Sequence, residues 1–305
     1  MPIRFFISVF VFVFVLGTLS LSNLARGAEQ CAPLGMKPQA LKELRQQQWQ
    51  VSDQQRRQQL ASAMLACLSS PDPTLRDEIA FESLSFWMRA KLLDDITVRH
   101  ISTELQSELS ANQASKHSDF ARPFAALVMA EVARVDRITP FMTELERDKM
   151  VKLAANYLST VKDYRGYDEK QGWRHGVAHG ADWMLQLSLN PALTTEHHLL
   201  MLQALATQIK TDQHFYQYGE SERLMMPILY LALRSPIDQA GWQQWFDALL
   251  QTELDLKKTT QKSLARRHNL QAFLNVLYLN VQESKKVELQ EKILPPLINA
   301  LKKLN

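Results

Sequence analysis

The sequence predicts an all-α protein of stacked antiparallel helix pairs, and three observations carry that expectation. Glycine is scarce, 9 of 305 residues, and alternation of apolar and polar residues at period two is hard to find. Long segments instead repeat apolar residues every three and four positions, the period of one helix face. The breaks between them carry helix-stop chemistry: Pro71-Asp72-Pro73, Thr139-Pro140, Asn190-Pro191 and Ser235-Pro236. Consecutive helices pair off at a spacing near the roughly 40–47 residues of HEAT-like and armadillo-like arrays. The expected architecture is a HEAT/armadillo-like α-solenoid or, alternatively, a closed α/α array. Either form has a concave side lined by one helix of each pair.

Taken from the N-terminus, the chain opens with Arg4, an apolar run from Phe5 to Leu16 and a polar stretch ending Ala25-Arg26-Gly27-Ala28. That is the layout of a secretory signal peptide over residues 1–27, cleaved near Gly27/Ala28 and leaving a periplasmic or secreted protein. The competing reading is an uncleaved anchor, since the apolar stretch extends toward the ~20 residues a span needs. Thr18, Ser20, Ser22 and Asn23 interrupt it, which favours cleavage and no stable membrane insertion afterwards. Residues 28–50 follow as an N-terminal arm and first helix, and residues 51–305 as a single helical-repeat domain. Its helices are expected near 53–69, 74–91, 97–111, 119–135, 141–162, 172–189, 195–210, 220–234, 238–256, 262–281 and 286–303.

Cys31 and Cys67 are the two cysteines. In an oxidising compartment they pair, tying down an arm that otherwise has little to hold it. The competing reading is two unpaired thiols, with Cys67 buried in the apolar face of Leu60, Met64, Leu65 and Leu68. Losing Arg4 and Arg26 with the signal takes the basic residues from 35 to 33, against 32 acidic ones. No single-sign field remains to attract nucleic acid, and none is expected as a partner.

The most informative segment runs from Gly172 to Gln186. Wound as one helix, it sets Trp173, Val177, Gly180 and Met184 on one side and His175, His179, Asp182 and Gln186 on the other. His-x-x-x-His places two imidazoles one turn apart, the spacing at which both reach one divalent metal ion. Asp182 would be a third ligand or would orient His179. Gly176 stands where zinc peptidases carry a glutamate, so a peptidase is poorly supported. The competing reading is a hydrogen-bonded polar seam between helices.

Further polar groups precede apolar helices that face the same concavity. They are Arg76-Asp77-Glu78, then Glu220-Ser221-Glu222-Arg223, then Arg266-Arg267-His268-Asn269. Acidic residues there complement a helix dipole without further role. Arg223, Arg266 and Arg267 fit that account poorly and suit salt bridges first, or the grip of an anionic ligand. Tyr164, Tyr167, Trp173, His214, Phe215, Tyr216 and Tyr218 are aromatics on flanking loops, able to wall a pocket for a sugar or another flat ligand or simply to cover a core edge. The candidate binding residues are Arg76, Asp77, Glu78, Tyr167, Trp173, Tyr218, Glu220, His268 and Asn269. Nucleophile-elbow, phosphate-loop and dinucleotide signatures are absent.

Several of these motifs occur in a recognisable order. Leu75 to Phe81 comes first, then Asp163-Tyr164-Arg165-Gly166-Tyr167, leading into Gly172 to His175 and His179 to Asp182. Tyr218 to Leu224, Asn269-Leu270 and Phe273-Leu274 follow. In this the chain resembles the family called Domain of Unknown Function 2785, over roughly Leu41 to Leu301. The resemblance implies an all-helical bacterial protein and no particular activity. Around the first histidine, Arg174 and Gly176 stand where small apolar residues are more usual in the family.

Two functions fit these residues. One is a binding or scaffold module whose concave face holds a peptide, glycan or protein ligand. The other is a hydrolase centred on His175, His179 and Asp182, with a divalent metal or a histidine base, and with Glu222 and Arg223 supplying acid chemistry and anion binding. A composite catalytic site requires that these residues converge in the folded chain.

Overall fold

The computed structural model describes residues 31–110, 119–251 and 259–304. The expected signal peptide and its cleavage point lie outside the described residues. Helix dominates, with one two-stranded hairpin. The helices are α1 (Pro38–Gln46), α2 (Gln54–Met64), α3 (Glu82–Arg89), α4 (Asp95–Ser110), α5 (Ala121–Ile138), α6 (Glu144–Thr160), α7 (Gly176–Ser188), α8 (Thr195–Ile209), α9 (Glu220–Arg234), α10 (Gln239–Leu250), α11 (Gln261–Gln282) and α12 (Val287–Leu304). A 3-10 turn, Leu65–Ser69, closes α2, and a π-helical stretch, Thr74–Phe81, leads directly into α3.

Most helices begin where the side chains dictate. Asp53, Asp238 and Thr260 each accept a bond from a first-turn amide, and Thr143 forms a reciprocal capping box with Glu146. Thr194 does the same with His197. Proline follows the ends of α5, α7 and α9, at Pro140, Pro191 and Pro236.

Neighbours two apart in the chain lie side by side: α3 against α5, α5 against α7, α7 against α9, and α9 against α11. A second series sets α4 against α6 and α6 against α8, and α12 covers both α10 and α11. Most helices thus pack against helices two places away in the chain. Trp87, Trp183, Trp242, Tyr157, Phe246 and Phe273 are fully buried in the shared core. Cys31 and Cys67 form a disulfide with Cα atoms 4.6 Å apart, fastening the N-terminal arm to the end of α2. Among the described residues no helix is long and apolar enough to cross a membrane.

One expected element differs in a way that matters. The helix expected over 172–189 begins only at Gly176. Gly172–Trp173 instead pairs antiparallel with Tyr167–Asp168, in register Tyr167 to Trp173. Asp168 Oδ1 accepts the amides of Lys170 and Gln171 and so closes the hairpin, and Gly172 takes the left-handed φ of +71° that the turn needs. Trp173 therefore leaves the helix face assigned to it and joins the histidines.

Candidate functional site

The hairpin is held in place by one guanidinium. Arg76, wholly buried in the π-helical stretch, donates from Nη2 to the carbonyls of Gln171 (2.7 Å) and Trp173 (3.3 Å), and from Nη1 to that of Ser70 (3.0 Å). Its Nε lies 2.6 Å from Asp77 Oδ1, and its plane covers the Phe120 ring at 3.9 Å. A buried cation is tolerable only when so fully engaged. Arg76 is therefore a strut between the first helices and the hairpin, its Nη1 and Nη2 bonded to backbone carbonyls and its Nε ion-paired with Asp77.

His175 follows the hairpin in a left-handed conformation, φ 52° and ψ 37°, and caps α7. A non-glycine residue there carries strain that the surroundings must hold. The amide of His175 donates to Arg165 O, that of Arg174 to Gly166 O, and the imidazole stacks on Trp173 with centroids 4.6 Å apart. His175 is 9 % exposed, and its Nε2 is buried without a hydrogen-bond partner. Burial lowers its pKa below the ordinary histidine value, Arg223 adds to this, and Glu220 opposes it.

One turn on, the His179 ring lies 6.0 Å from that of His175 and edge-on to Phe124. Its Nδ1 sits 3.1 Å from Pro123 O. A carbonyl only accepts, so Nδ1 carries the proton and Nε2 keeps its lone pair. Complete burial, with His175 nearby, drives the His179 pKa down to about 3. Both imidazoles are neutral at neutral pH.

The opposite wall is the start of α9. Gly219, with φ +83°, turns the chain so that Glu220 Oε2 accepts the Tyr218 amide at 2.8 Å. Glu220 is 2 % exposed, and its Oε1 lies 3.8 Å from His175 Nε2. Arg223 reaches back to Asp182 Oδ1 at 2.8 Å. Burial raises Asp182 to about 6 despite that pairing, and burial raises Asp77 to about 6 despite Arg76.

These walls enclose a cleft of about 540 Å³, lined by Asp77, Phe81, Phe124, Leu127, Trp173, His175, His179, Tyr218, Gly219, Glu222 and Arg223. Asp77, Trp173, His175, His179, Tyr218, Glu222 and Arg223 had been singled out in the sequence, and they arrive from the π-helical stretch, the hairpin, α7 and α9. Phe81, Phe124 and Leu127 had not. They are apolar residues at helical spacing, which nothing in the sequence separates from core.

Other candidates lie elsewhere. Glu78 pairs with Arg45 at 2.6 Å on the outside. Asn269 accepts the Tyr216 amide and donates to the carbonyls of Thr211 and His214, and His268 Nε2 meets Tyr216 O at 3.0 Å. Both therefore brace the loop that carries Tyr218 and do not line the cleft. Tyr167, 49 % exposed, leans on Trp173 from outside. Gln186 accepts from Arg137. The set His175, His179 and Asp182 is not gathered around one point, because His175 precedes the helix and Asp182 turns to Arg223. Among the described residues no group of three or more histidine, cysteine or acidic side chains is arranged to hold a metal ion.

Searches of curated proteins and of solved structures each return no match. A family profile described as "Protein of unknown function (DUF2785)" matches residues 109–279, more than half of the chain. The matched span includes the hairpin, both histidines, Glu222 and Arg223, and it begins after Arg76 and Asp77. The chain belongs to the DUF2785 family.

Proposed function

We propose that this is an exported ligand-binding protein, a helical-repeat array that seats one residue-sized group of a peptide or glycan in the cleft between α5, α7 and α9. The carrying observation is convergence: aromatic, imidazole, carboxylate and guanidinium groups from four separate segments line a single concavity. Its volume falls within the roughly 300–1,000 Å³ of small-ligand sites, and it combines apolar walls with a few directed polar groups. The side-by-side packing of alternate helices supports the repeat reading. The Cys31–Cys67 disulfide supports an oxidising compartment.

The test is calorimetric titration of the purified protein with two panels, short peptides of mixed charge and neutral oligosaccharides. At least one member is expected to bind saturably and to lose about tenfold in affinity in Trp173→Ala, the ~1.4 kcal/mol of one aromatic contact. Saturable binding that Trp173→Ala leaves unchanged would move the ligand elsewhere, and no binding by either panel would end the reading.

A hydrolase is the second reading. What favours it is Asp77, a carboxyl raised to about 6 and so poised near neutrality as a general base, lining the same cleft as a neutral His179 of fixed tautomer. Product release in the same mixtures, abolished in His179→Gln, would put this reading first.

A further inference from the structure

We infer that the cleft is built for a ligand carrying an alkylammonium group, its cationic head seated between the carboxylates and against the rings of Trp173 and Tyr218. This rests on the reading of the cleft as a ligand site.

Charge is the first argument. Four carboxylates line or directly back the cleft: Asp77, Asp182, Glu220 and Glu222. Arg76 is matched to Asp77 and Arg223 to Asp182. Glu220 and Glu222 are left over. Glu220 is buried with only the His175 imidazole and the Tyr218 amide beside it. The nearby set Asp119, Asp163, Arg165 and Arg174 balances itself. The concavity is therefore about two charges negative while both imidazoles are neutral. An anionic ligand would be repelled, and a cation is what completes the balance.

The second argument is the direction of the unused polar atoms. His179 spends its N–H on Pro123 O, so the nitrogen left over is an acceptor. His175 Nε2 is buried, lines the same cleft and has no hydrogen-bond partner. A polar atom left without a partner is costly, and an N–H donor entering the cleft satisfies the free nitrogen of His179. An ammonium head brings three such donors. A purely apolar group brings none.

Third, the apolar part of the lining is mainly aromatic, with Leu127 beside the rings. Trp173, 38 % exposed, meets Tyr218 edge to face with centroids 5.9 Å apart, and Phe81 and Phe124 complete the wall. Ring faces attract a cation electrostatically while the alkyl stem packs against them.

The experiment titrates the full chain with n-hexylammonium, n-hexanol and hexanoate, which share a stem and differ in charge. An oligosaccharide panel runs in parallel. Hexylammonium is expected to bind at least tenfold more tightly than hexanol and hexanoate not at all. Glu222→Gln, a change at an exposed position that leaves packing intact, should cut hexylammonium affinity severalfold and leave hexanol unaffected. Equal binding of hexanol and hexylammonium, or no effect of Glu222→Gln, overturns the ammonium assignment. Saturable oligosaccharide binding without hexylammonium binding also overturns it, while the cleft survives as a ligand site. If no probe of any charge binds, both fall.

Discussion

His179 couples the cleft to pH through a single proton. Its imidazole is buried, its Nδ1–H is spent on Pro123 O, and its pKa falls to about 3 from an ordinary value near 6.5. The unfolded chain therefore binds a proton that the folded chain refuses across that interval. Stability from this residue is fully present above pH ~6.5 and is lost as the pH falls toward about 3. Over the whole window the loss is on the order of 4 kcal/mol, and between pH 6.5 and 4.5 about 2–3 kcal/mol. Asp77 and Asp182 act with the opposite sign. Their folded pKa values near 6 lie above the ordinary value, so their contribution is present at low pH and lost as pH rises through about 6. Comparing wild type with His179→Gln separates the two effects. Urea midpoints between pH 7 and 4.5 should fall more steeply in wild type than in the variant. Parallel slopes would mean that the imidazole takes up its proton without penalty. In the sequence His-x-x-x-His reads as a ligand pair or as a seam between helices, and only the fold of α5 over α7 decides how deeply His179 is buried.

At the scale of elements, the helices were legible because their ends carry chemistry that acts locally, such as Asp53, Thr143, Thr194 and the prolines after α5 and α9. The hairpin was not. Two residues per strand show no period, and Gly172-Trp173-Arg174-His175 contains no strong helix stop, so its apolar spacing was absorbed into the helix that follows. Besides the Asp168 turn within it, what makes it a hairpin comes from elsewhere in the chain, namely the Arg76 guanidinium and the α9 loop pressed against it. Gly166 records that pressure. A Cβ on it would overlap the Tyr218 ring, and Gly166 O must still accept the Arg174 amide. Gly166→Ala is expected to cost about 1–3 kcal/mol, the range for overpacked sites, and to displace Tyr218 from the cleft. Denaturation and ligand affinity should both shift. A variant with wild-type stability and affinity would show that Tyr218 is free to move and is no wall of the site.

For the whole molecule, the question is what keeps the N-terminal arm packed on the other helices, since the cleft draws Asp77 and Phe81 from the segment just beyond it. The arm offers α1 and a few apolar contacts, with Leu41 and Trp49 buried, and its strongest fastening is covalent. Cys31 and Cys67 enclose a separation of 36 residues, for which the chain-entropy account gives roughly 3–4 kcal/mol. Both cysteines are fully buried, so reduction or replacement by serine would also leave two small polar groups in an apolar setting. Cys31→Ala/Cys67→Ala removes the link with the least new polarity. It should lower the unfolding midpoint by several degrees. Because Cys67 abuts the π-helical stretch through the Leu65–Ser69 turn, the loss should also reach Arg76 and through it the hairpin. The informative measurement is amide exchange in the variant below its midpoint. Faster exchange confined to α1 and α2 would mean that the disulfide guards only the arm. Faster exchange extending to Trp173 and Arg174 is the expected result, with the fastening of the first helices transmitted to the cleft by the Arg76 strut.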